Sequence, residues 1–156
     1  MVIAAPPLVY RTIDLDVDHP LVVRNFRDTS AASYGPEARC PVATYVPWLK
    51  ARIEEFPDGH VLAWLGEACV GQLELQVPYG LTRGYVNLFC VVPPFRGKGY
   101  GRLLHEFAER YFRSWQAETI ELHVSKSNQA AIGFYRHLGY KLVEDDRKLW
   151  KMTRTL

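Results

Sequence analysis

"VVPPFRGKGYGRLL", residues Val91 to Leu104, decides how this chain is read. Two prolines end an apolar run, three glycines follow at alternate positions with Arg96, Lys98 and Arg102 among them, and a long amphipathic pattern begins. The run "YVNLFCVV" (Tyr85–Val92) reads as a central strand because it is almost continuously apolar. From Tyr100, residues Leu103, Leu104, Phe107, Ala108, Tyr111, Phe112 and Trp115 recur at helical spacing. "TIELHVS" (Thr119–Ser125) then returns as a strand. The unit is a right-handed strand, helix, strand crossover, and the glycine stretch is its first turn.

Outward from this unit, "LVYRTIDL" (Leu8–Leu15) alternates as a first strand with one face buried, and Asp18 and Pro20 suggest a helix running to about Arg27. Residues 27–43, rich in small and turn-forming types, read as loop or frayed helix. Tyr45, Trp48, Leu49, Ile53 and Phe56 predict a helix ending before Pro57. "HVLAWL" and "CVGQLELQV" form a hairpin about Gly66–Ala68. "NQAAIGFYRHLGY" (Asn128–Tyr140) is a short helix capped by Asn128 and ended by Gly139, and a last hairpin turns at "DDR". The expectation is a single α/β domain spanning residues 1–156, a mixed sheet with helices on both faces.

Composition narrows the classes. Three cysteines in no metal-like spacing (Cys40, Cys69, Cys90) argue for reduced thiols and no metal site, and a net charge of +2 without aromatic-laced basic runs argues against nucleic acid. Apolar runs are too short for a membrane span, and "MVIAAPPLVYRT" does not resemble a secretory leader, so a cytoplasmic protein is expected.

Where a strand's carboxyl end meets a helix's amino end, unpaired N–H groups point outward beside a positive dipole end, an anion site. Gly97, Gly99 and Gly101 leave that backbone approachable, and Arg96, Lys98 and Arg102 add charge. A plainer reading, glycines that only shape a tight turn, competes with it. The spacing GxGxG fits neither the Rossmann nor the Walker pattern, which leaves coenzyme A as the common diphosphate ligand.

The pattern V-x-P-x-x-R-G-x-G-x-G at Val91, Pro93, Arg96, Gly97, Gly99 and Gly101 resembles motif A of the GCN5-related N-acetyltransferases. Asn128, Ala131, Phe134, Tyr135, Gly139 and Tyr140 resemble a second segment of that family. The resemblance implies a mostly antiparallel sheet of about seven strands flanked by about four helices, with a splayed central strand pair. It implies acetyl-CoA as co-substrate, without metal, and acetyl transfer to an amine of a small molecule or peptide. Phe89, Cys90 and Val91 would pair with the pantetheine arm, and the amides of Gly97, Lys98, Gly99, Tyr100, Gly101 and Arg102 would hold the diphosphate. Asn128 would bond the cofactor near the pantetheine, the Val91 N–H would face the thioester oxygen, and Tyr135 would protonate the leaving thiolate.

A base to neutralise the amine is expected at His123, at a position where relatives carry an acid, or at Glu74, whose side chain leaves the face taken by Leu73 and Leu75. Glu144, Asp145 and Asp146 could attract a cationic amine, or be only solvated. A non-catalytic coenzyme A module of the same fold is the alternative, and monomer and homodimer both stay open.

Overall fold

The computed structural model describes residues 7–156; residues 1–6, half of the stretch read for a leader, lie outside it. Seven strands, β1 (Val9–Thr12), β2 (His60–Leu65), β3 (Ala68–Gln76), β4 (Arg83–Val91), β5 (Thr119–Ser125), β6 (Lys141–Asp146) and β7 (Leu149–Thr155), form one sheet in the order β1-β2-β3-β4-β5-β7-β6. Every neighbouring pair is antiparallel except β4 with β5, the two strands of the crossover. Helices α1 (Leu15–Tyr34), α2 (Val42–Glu55), α3 (Tyr100–Ser114) and α4 (Gln129–His137) complete the fold.

The two sheet faces carry separate cores. Leu104, Ala108 and Phe112 of α3 and Ile132 of α4 pack with Leu73, Leu75, Ile120 and Met152 on one face. Val22 of α1 and Tyr45 and Leu49 of α2 pack with Leu62 and Cys69 on the other. The amphipathic period of α3 therefore meets the buried half of the strand alternation. Among the described residues no helix is long and apolar enough to cross a membrane.

Three expectations change. The first strand is shorter than its alternation suggested and largely exposed, as befits an edge strand. The first helix begins earlier, because Asp14 is the cap: its carboxylate accepts from the Asp16 N–H (3.0 Å), while Asp18 reaches back to the Asp14 N–H (2.9 Å). That helix also runs through residues expected to be loop, as far as Tyr34, where Gly35 at φ 96° donates to the Ala31 carbonyl (2.8 Å) and ends it. The extension matters because it lays Thr29, Ser30 and Ser33 against the sheet's centre.

Candidate active site

The parallel ladder between β4 and β5 runs only from Arg83↔Thr119 to Val86↔Leu122, whereas β3 stays paired with β4 as far as Gly71↔Val91. A register shift explains the difference. Leu75 pairs with Val86 but Glu74 with Leu88, so Asn87 is an extra residue that bends β4 away from β5. Beyond it, the Val92 N–H donates to the Val70 carbonyl (2.8 Å), which sets the alternation of peptide groups: those of Cys90 and Val92 turn toward β3, those of Phe89 and Val91 toward the gap. Of the three residues expected to offer backbone to a pantetheine arm, Phe89 and Val91 turn theirs to the gap, whereas Cys90 turns its own to β3.

Two cavities open on the gap. The larger, about 530 Å³, lies between Phe89–Val91, the glycine turn and α4; the smaller, about 360 Å³, lies between β4, β5 and the C-terminal half of α1. Thr29, Phe89, Asn128, Ala131 and Tyr135 border both.

Two of the three glycines precede α3 rather than opening its first turn, since Gly97 and Gly99 hold φ of 72° and 89°. The turn-shaping reading is therefore right for these two, because a side chain would be strained in that conformation. The anion-site reading survives beside it. Among the described residues the N–H groups of Gly97, Lys98 and Gly99 find no backbone acceptor, and α3 has no side-chain cap. Gly101 is different: a Cβ there would stand 3.1 Å from the Phe134 ring, so the turn is pressed against α4. Arg96, Gly97, Gly99, Gly101 and Arg102 line the larger cavity; the side chains of Lys98 and Tyr100 do not. Arg96 Nε also donates to the Val91 carbonyl (2.8 Å), leaving the Val91 N–H as the free half of that peptide edge. This donor set fits an extended amide chain ending in a diphosphate.

Asn128 caps α4 through its side-chain oxygen, which accepts from the Ala131 N–H (3.2 Å), so its amide nitrogen remains to face the gap. Tyr135, two turns along α4 from that cap, is 8% exposed, and its ring meets Phe89, Phe134 and Tyr140 edge-on. Burial pushes its phenol well above the ordinary range, so it stays protonated. His123 lies on the β5 side of the smaller cavity, and its Nδ1 is 2.6 Å from the hydroxyl of Tyr85. Tyr85 pairs with Glu121 in the ladder, which sets His123 two residues further along β5 on the same face. Its phenol too is raised, mainly by burial and then by Glu121. Nothing in the sequence pattern had marked Tyr85, because the register of β4 against β5 was not readable.

Glu74 stands apart, bordering a third hollow with Trp48 and Asn87. It is 1% exposed; its Oε2 accepts from the Tyr45 hydroxyl (2.6 Å) and from Gln72 Nε2 (2.9 Å), and Asn25 Nδ2 donates in turn to Gln72 Oε1 (3.1 Å). Burial outweighs these bonds and pushes its carboxyl up to about 7. Because the unfolded carboxyl ionises at lower pH, the folded chain holds the extra proton between roughly 4.5 and 7, and stability declines as pH rises through that window. Glu74→Gln should flatten that decline, removing roughly 3 kcal/mol of pH dependence between pH 4.5 and 8. Urea midpoints measured across that range check it; an unaltered slope in the variant would assign the dependence to other groups.

Glu144 and Asp145 of the last hairpin sit beside Lys151 (3.8 Å) and Lys126, and none of Glu144, Asp145 and Asp146 borders the cavities. The solvated reading of that turn stands.

Comparison with known proteins gives three relevant likenesses. Mycothiol acetyltransferase from Propionibacterium freudenreichii subsp. shermanii is 34% identical over 67 residues, 43% of this chain and 22% of that protein, so the chain spans less than a quarter of that relative's length. The PaiA N-acetyltransferase from Thermoplasma acidophilum, solved in complex with coenzyme A, superposes with a TM-score of 0.79 at 15% identity over 97% of this chain and 100% of that one. Spermidine N-acetyltransferase from Vibrio cholerae, in complex with CoA and spermine, superposes at 0.73 with 18% identity over 95% of both chains. The family profile described as "Acetyltransferase (GNAT) family" matches residues 23–140, covering the crossover, the parted strands and α4 alike, and the chain belongs to that family.

Proposed function

We propose that this chain is an N-acetyltransferase that carries an acetyl group from acetyl-CoA to a primary amine by direct attack. The observation that carries the reading is the parting of β4 from β5 beside unpartnered turn amides, with Tyr135 on the wall common to both cavities. Acetyl-CoA supplies the activated acyl group; the protein's part is to bind, orient and move protons. The peptide edge of Phe89 and Val91 receives the amide chain of the cofactor as an added strand would be received. The amides from Gly97 onward hold the diphosphate, and the Val91 N–H faces the oxygen on which charge develops.

An alkylamine of pKa near 10.4 is neutral about one part in a thousand at neutral pH, so a proton must leave it. With His123 in the tautomer whose Nδ1 is bare, the Tyr85 oxygen accepts the amine proton as its own proton passes to Nδ1, giving an imidazolium and a neutral phenol. That sequence suits a phenol whose burial opposes ionisation. Glu74, in the neighbouring hollow and already bonded to Tyr45 and Gln72, is left to organise the sheet's interior. On the other side, the Tyr135 hydroxyl donates to the departing sulfur. The thiolate, formed in the same water-poor space, is made more basic there, which narrows the gap between it and the raised phenol.

The test is an acceptor screen with acetyl-CoA that follows thiol release, run beside calorimetry with coenzyme A. Tyr85→Phe and His123→Ala should each lower kcat/KM by about tenfold to a hundredfold, with losses in the double variant far short of the product, since both act in one relay. Multiplicative losses would refute the relay. Failure to bind coenzyme A would refute the function.

A further inference from the structure

We propose that the acceptor amine also carries a carboxylate, received by Arg39 on the wall of the smaller cavity. The inference rests on the acetyl-transfer reading and names its substrate class: a free amino acid, or a peptide acidic in its first residues.

The charge inventory of that cavity carries the argument. His123 and Tyr135 both line it, so the acceptor's amine, which has to meet base and acid alike, belongs there. No Asp, Glu or Lys borders it, and Arg39 is its one permanently charged side chain. Arg39 makes no ion pair among the described residues. The acids of β5 and of the last hairpin are answered elsewhere: Glu121 lies 3.3 Å from Arg83 and 3.5 Å from Lys151, and Lys126 and Lys151 face Asp145 and Glu144. A polycation would enter against an uncompensated guanidinium with no carboxylate to meet it. An anion would find a forked donor suited to two oxygens.

A second observation comes from Asn87. The Asn87 side chain, carried by the extra residue in β4, borders the same space, and its amide nitrogen is shut off from water without an acceptor. Buried donors rarely stay unpaired, and an oxygen brought by a bound molecule would complete this one. Ser30 and Ser33 of α1 border the cavity as well. The cavity thus offers donors and no anionic acceptor, which is the complement of a carbonyl- and carboxylate-rich amine.

The experiment is a set of kcat/KM values, by thiol release at saturating acetyl-CoA, for matched acceptors: two peptide amides differing only in Glu or Lys at the second residue, a free amino acid against its amide, and spermidine. The acidic member of each pair should be favoured by about twofold to fivefold at low salt, less at high salt, the scale of an exposed charge pair. Arg39→Ala should bring the ratio near one, and Arg39→Glu should invert it. The peptide pair and the amino-acid pair tell the two sources of the carboxylate apart. Preference for spermidine or the lysine peptide, or an unchanged ratio in Arg39→Glu, would overturn the proposal while leaving acetyl transfer intact. Absence of thiol release with every acceptor would instead overturn the acetyl-transfer reading, and this inference with it.

Discussion

Tyr135→Phe is expected to lower kcat by about a hundredfold or more, the range for loss of a placed general acid. The binding of coenzyme A and the fold should hardly notice. The ring contacts with Phe89, Phe134 and Tyr140 survive the change, and the hydroxyl that is lost has no hydrogen-bonding partner among the described residues. Removing a hydroxyl that borders the cavities and bonds no described residue should therefore leave stability within about 0.5 kcal/mol of the parent. Steady-state kinetics with an acceptor found in the screen, calorimetry with coenzyme A and a urea melt test all three at once. Unchanged turnover would take the acid's role from Tyr135. Lost turnover with lost cofactor binding would recast it as a wall of the cavity.

The second large effect concerns the floor of the crossover. Phe112 is fully buried, and its ring lies over Gly84, which pairs with Ile120 in the short parallel ladder. A Cβ on Gly84 would stand 2.6 Å from Phe112 Cε1 and 2.8 Å from its Cγ, too close for either group to stay in place. Gly84→Ala should cost about 1–3 kcal/mol by overpacking, although its backbone is ordinary extended strand. Phe112→Ala should cost about 3–5 kcal/mol through the void it leaves. Together they should fall well short of the sum, since the new methyl enters the space the ring vacates. Urea unfolding of the four proteins measures the coupling, and strict additivity would show that ring and glycine do not share the space.

The sequence was most legible where one element's pattern is self-contained. The apolar stripe of α3 and the Asn128 cap of α4 announced themselves through local spacing, and "TIELHVS" occupies β5 residue for residue. The end of α1 was less legible because Ser30, Ala31, Ala32 and Ser33 neither demand nor forbid helix. Around the site, positions named from the glycine pattern gather at one cavity, but what they do there depends on pairing. That Phe89 and Val91 face the gap, while Cys90 faces β3, follows from a single displaced residue, Asn87, which no periodicity signals. Tyr85 and His123 are 38 positions apart and meet only because parallel neighbours bring every second residue alongside. Glu74 looked like a lone acid on a strand face; the partners that occupy it come from α2 and from its own strand.

The four-rung seam between β4 and β5 has a mechanical meaning as well. Strands β1–β4 form one leaf and β5–β7 another, and past Val86 and Leu122 no main-chain bond of the ladder ties them together. A molecule lodged in the wedge touches both leaves and acts as mortar between them, so tightness of fold and occupancy rise together by mass action. If the proposed cofactor fills the wedge, the fold is most cohesive when loaded, and the spent cofactor leaves only by loosening the joint it had filled.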